Sequence, residues 1–163
     1  MDDNTLIVLE SLFKVANIHA NRLSTTMQHL QPNIPLSAHD VESFTLENML
    51  FWEMFVNRFS KLQDLMGAKI FEAVINYAGK PTDSMTLIDL LHTLEKLGLI
   101  DNATAWKDLR RMRNHLSHEY PDAPELVADY LNKAFRMASL LIETLNRLEA
   151  FVETLRTKNT VTN

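Results

Sequence analysis

Residues 87–121, LIDLLHTLEKLGLIDNATAWKDLRRMRNHLSHEYP, carry the clearest structural signal in the chain. Leu87, Leu90, Leu91, Leu94 and Leu97 recur at intervals of three and four, so they share one face of a helix. Thr86 with Asp89 three residues on is a weak capping box for that helix, and Gly98 closes it. Asn102 or Thr104 caps the next helix, which leads into RRMRNHLSHEYP at 110–121. Pro121 disfavours helical geometry at Tyr120, so the helix is expected to stop near there.

The same periodicity extends outward in both directions. Leu6, Leu9, Phe13, Ala16, Ala20, Leu23, Met27 and Leu30 form the seam of a first helix, ended by Pro32 and Pro35. A second pattern starts at Ser43 or Thr45 and runs to Tyr77 through Trp52, Phe55, Phe59, Leu62, Met66, Ile70 and Ala73. Leu50, Phe51, Met54 and Leu65 widen that stripe, as expected of a central helix or one at an oligomer interface. A last helix runs from Pro124 to Thr157 through Val127, Tyr130, Ala134, Met137, Leu141, Leu145, Leu148, Val152 and Leu155. No strand alternation, repeat or low-complexity segment interrupts this. The expected fold is all-α, an up-and-down bundle of about five helices forming one domain over residues 1–157, with a polar tail at 158–163.

Composition agrees. The 163 residues include only 3 glycines and 5 prolines, which leaves little turn chemistry. There is no cysteine, so a disulfide framework or thiolate metal site is excluded and a reducing compartment is suited. The first residues lack the basic and apolar regions of a secretory signal, and no apolar run reaches the roughly 18 residues that span a bilayer. A cytoplasmic protein without membrane partners is predicted.

The net charge of −5 argues against indiscriminate binding of nucleic acid. Between Lys107 and His118, however, Lys107, Arg110, Arg111 and Arg113 face one acid, Asp108, giving a local +3 against −8 elsewhere. Such a spot suits a single phosphate. On a helix, Asn114 and His118 are neighbours, and Arg113 and Tyr120 lie along one face. Arg113 and His118 are about 140° apart, so they converge only if the helix end unwinds or a second chain closes the gap. The residue types fit phosphodiester cleavage without a metal. An imidazole exchanges a proton with the ribose 2′-hydroxyl or the leaving oxygen, a guanidinium stabilises the charge on the phosphorane, and Asn114 orients the imidazole or the phosphate.

The run Arg113-Asn114-His115-Leu116-Ser117-His118-Glu119-Tyr120 resembles the R-x4-H-x-Y motif of HEPN-domain proteins, in particular HepT-like toxins and the substrate-binding partners of minimal nucleotidyltransferases. The likeness covers residues 85–125, including the leucine-rich helix, glycine turn and short linker before the motif. It implies a homodimer with a composite cleft between two motif helices, no cofactor, and metal-independent cleavage of RNA. Arg113 then matches the motif arginine, His118 the histidine and Asn114 the polar residue between them. Tyr120 matches the tyrosine that a nucleotidyltransferase antitoxin adenylylates, which would put a phosphate and bulk into an RNA-binding cleft.

Blander readings stand beside these. Arg and His at a helix C-terminus also complement the macrodipole. Lys107, Arg110 and Arg111 are RNA contacts or a solvated face, and His115 is exposed or a helper in the cleft. Tyr120 lines the cleft or packs on the last helix. His19, His29, His39 and His92 have no partners at informative spacing and read as surface or cap residues. A His115–His118 metal pair lacks a third ligand in any matching motif. Three functions follow: a toxin-type ribonuclease, a silent binding partner of a nucleotidyltransferase, and a dimeric scaffold.

Overall fold

Leu9, Phe13, Ala16, Ala20 and Leu23 are all buried on one face of helix α1 (Asp3–Leu30), as their spacing requires. Pro32 ends the helix in a single 3-10 turn, Gln31–Asn33. The computed structural model describes the backbone of residues 3–162 and the side chains of 4–158, and every regular element among them is helical. The all-α expectation holds.

A short helix, α2 (Ala38–Glu42), follows that the periodicity did not announce, because it buries no residue of its own. Local chemistry makes it: Ser37 and Asp40 form a reciprocal capping box. The segment before it is pinned by Asn132 of α7 (Pro124–Thr162). The buried Asn132 amide accepts the Leu36 N–H at 2.7 Å and donates to the Leu36 carbonyl at 2.9 Å.

Thr45, with Asn48, caps α3 (Leu46–Leu65). The stripe expected to run unbroken to Tyr77 is interrupted by a π-turn, Met66–Ile70, before α4 (Phe71–Tyr77). The wider turn shifts the buried face, so Met66, Ile70, Phe71, Val74 and Ile75 are all fully buried. This interrupted rod is central: α1, α6 and α7 pack against α3.

In α5 (Leu87–Lys96) both bonds of the Thr86–Asp89 capping box form. Gly98, at φ +70°, donates to the Glu95 carbonyl, and Leu99 donates to that of Leu94, both at 2.9 Å. Asn102 caps α6 (Ala103–Leu116), accepting the Ala105 N–H at 2.7 Å, and the helix buries Trp106, Leu109 and Met112. It stops at Leu116, earlier than Pro121 alone required. Ser117 ends it, with its hydroxyl donating to the Asn114 carbonyl at 2.7 Å in competition with the helical ladder. At the other end of the chain, α7 runs past Thr157 to Thr162, so the expected polar tail is helical over most of its length. No glycine or proline stops it, and polar side chains alone do not end a helix. With α3 and α4 counted as one rod, five long helices carry the core. Among the described residues no helix is long and apolar enough to cross a membrane.

Candidate functional site

Arg113 lies in the last turn of α6, half-buried against α3. Its Nε and Nη2 both donate to Oδ2 of Asp64, at 3.2 and 2.7 Å, and its Nη1 donates to Oδ1 of Asn114 at 3.3 Å. Three of the five guanidinium N–H groups are thereby engaged. One N–H on each of Nη1 and Nη2 remains for a further acceptor such as a phosphate oxygen. Asn114 therefore orients the guanidinium; among the described residues no hydrogen bond joins it to His118.

His118 sits two residues beyond the end of α6, exposed, its N–H donating to the His115 carbonyl at 3.2 Å. It lines a cavity of about 390 Å³ with His115, Tyr120, Glu53 and Met49. His115 is half-buried and stacks on Tyr130 of α7, ring centroids 4.5 Å apart and nearly parallel. Tyr120 also leans on Tyr130, at 5.5 Å. Desolvation, then the neighbouring Tyr130, raises the Tyr120 hydroxyl above its ordinary value.

Arg113 lines a separate cavity of about 520 Å³, with Asp64, Lys61 and Ser60. The two cavities adjoin, because Glu53, Val56 and Leu116 line both. With α6 ending at Leu116, Arg113 lines one of them and His118 the other. The flanking cations diverge. Lys107, Arg110 and Arg111 are exposed; Arg111 pairs with Asp108 at 3.1 Å, and Arg110 lines a third cavity.

Sequence reasoning did not single out Asp64 or Glu53, the acids beside the motif. Asp64 lies 49 residues from Arg113, on a different helix, and no spacing rule links them. His29 is at the surface, as expected, and His19 is half-buried. Both have partners distant in the sequence, across the α1–α3 contact: His19 accepts a hydrogen bond from Arg58 Nη1 at 3.0 Å, and His29 stacks on Phe51 at 3.5 Å with Glu47 at 3.8 Å. Among the described residues no group of three or more His, Asp or Glu is arranged to hold a metal ion. Comparison with protein-family models, with curated proteins and with solved structures found no match for this chain.

Proposed function

We propose that the protein is a metal-independent endoribonuclease of the HEPN type, working as a homodimer and serving as the toxin beside a nucleotidyltransferase-type antitoxin. One observation carries the reading: the Arg113 guanidinium and the exposed His118 imidazole line two adjoining cavities that have Glu53, Val56 and Leu116 in common. Next to these cavities α3 is apolar and uncovered. Leu46 is 70 % exposed and Leu50 55 %, with Met54 and Met49, which lines the His118 cavity, beside them. A second copy seated there would bring two motif helices to one composite site.

In such a site His118 removes the proton of the ribose 2′-hydroxyl, whose oxygen attacks phosphorus. Arg113 stabilises the phosphorane, the bond to the 5′-oxygen breaks, and a proton passes to that oxygen. The products are a 2′,3′-cyclic phosphate and a 5′-hydroxyl. Tyr120, lining the His118 cavity, is the residue an antitoxin would adenylylate.

The purified protein is therefore expected to cleave RNA in EDTA to cyclic-phosphate ends, and His118→Ala to abolish the cleavage. A second reading rests on the Arg113–Asp64 pair, which occupies the guanidinium and offsets its charge. On that reading the protein is a silent substrate-binding partner of a nucleotidyltransferase. Intact tRNA and mRNA, from protein whose mass shows no AMP on Tyr120, would favour it.

A further inference from the structure

A third cavity, of about 590 Å³, opens where the π-turn of the central rod meets α5 and α6. Trp106 and Gln63 line it and are only 2 % and 3 % exposed. Yet the Trp106 indole N–H and the Gln63 side-chain oxygen have no hydrogen-bond partner. Unpaired buried groups of this kind are rare, and each costs about 1–3 kcal/mol. Beside both stands Gly67 of the π-turn. A Cβ on Gly67 would lie 3.6 Å from the indole nitrogen and 3.7 Å from Gln63 Nε2, so the missing side chain leaves the indole nitrogen and the Gln63 amide at one gap. π-turns recur at functional sites, and here the turn brings a glycine to that gap.

The remaining walls define what fits. Leu87 and Leu90 are apolar. Arg110 at the mouth has no ion pair among the described residues, while Arg113 is neutralised by Asp64, which also lines the cavity. The net local charge is therefore close to +1. We propose that this cavity is a binding site for a small, flat organic monoanion: a ring carrying a hydrogen-bonding edge for Trp106 and Gln63 and an acid group for Arg110. A ligand there would also touch Arg113 and so report on the motif from its far side. The site stands whether or not the protein cleaves RNA.

The test uses the indole N–H resonance of Trp106 in the intact ¹⁵N-labelled protein, assigned by its disappearance in Trp106→Phe. Trp52, buried elsewhere in the core, is the internal control. The probes are orotate, a planar acid with a donor–acceptor edge; benzoate, an acid without one; and inorganic phosphate. Orotate is expected to shift the Trp106 resonance saturably and leave that of Trp52 unmoved. Benzoate should bind about tenfold more weakly, the loss expected for about 1.4 kcal/mol of hydrogen bonding, and phosphate should have no effect. Arg110→Ala, at an exposed position, should weaken orotate about tenfold. No shift with orotate up to about 10 mM, well above a Kd near 1 mM, would overturn the proposal. So would binding indifferent to Arg110→Ala, or binding shared equally by phosphate. A Trp106 shift produced by a 2′-deoxy tetranucleotide and by none of the acids would overturn it in favour of a strand-binding groove. RNA cleavage without orotate binding would sink this site alone, and orotate binding without cleavage would sink the ribonuclease reading alone.

Discussion

The Arg113 guanidinium donates twice to one oxygen of Asp64, the shorter bond 2.7 Å long, and so ties the end of α6 to α3 across 49 residues. The pair is a third to a half exposed, so it adds only about 0.2–1 kcal/mol to stability. Its larger effect is on what Arg113 is free to bind.

Asp64→Asn removes the charge and keeps the shape. The stability loss should stay within about 1 kcal/mol in urea denaturation. Single-stranded RNA should bind more tightly, with the log–log salt slope steeper by about 0.7, the signature of one added phosphate contact. An unchanged slope would show that Asp64 does not restrain the arginine.

Asn132→Ala should be costly although it lies far from the motif. It leaves the N–H and carbonyl of buried Leu36 unpaired, at about 1–3 kcal/mol each. The urea midpoint should fall accordingly, and the Leu36 amide should lose protection from hydrogen exchange. A midpoint within error of wild type would mean that the segment before α2 is not held by this amide.

His19 makes stability depend on pH. Desolvation first, then the charges of Arg58, Lys61 and Arg22, lowers its pKa below the ordinary 6.5, and its Nδ1 accepts from Arg58. The folded state thus prefers the neutral ring, and the unfolded state binds the extra proton. That contribution is complete above pH 6.5 and is lost as pH falls from there through the folded-state value. His19→Gln keeps an acceptor for Arg58 and does not titrate. Its urea midpoint should therefore fall less than that of wild type between about pH 7.5 and pH 5. Equal falls would place the acid sensitivity elsewhere.

These residues show what the sequence could and could not convey. Helices were legible because their causes are local: the Thr86–Asp89 box, the Asn102 cap and Gly98 each act within a few residues. The π-turn was not, since buried residues at Met66 and Ile70 fit either turn until packing chooses one. Nor was the early stop at Leu116, where Ser117 acts ahead of the proline. At the site, Arg113 and His118 could be picked out, but Asp64, which holds the arginine, and Glu53 and Val56, which line both cavities, come from α3, far away in the chain. Long-range pairing leaves no periodic trace.

The exposed stripe of α3 bears on whether two copies of the chain meet at the motif. Leu46, Met49, Leu50 and Met54 lie on its outer face, and Met49 also lines the His118 cavity, so the stripe runs into the motif. A second uncovered stripe, Ile7, Val8, Val15 and Ile18, lies on α1. A stable dimer buries about 1,200–2,000 Å² in total, and a self-associating face needs an uncovered apolar centre of this kind. If two copies meet at the motif, Leu46→Glu with Leu50→Glu should give a monomer by light scattering. The monomer's own unfolding should change little, because neither side chain is in the core. Ile7→Glu with Val15→Glu should leave the dimer intact. The opposite pattern would move the interface to α1 and leave the two motif helices apart in the assembly. Wild-type protein that is already a monomer would remove the composite site altogether.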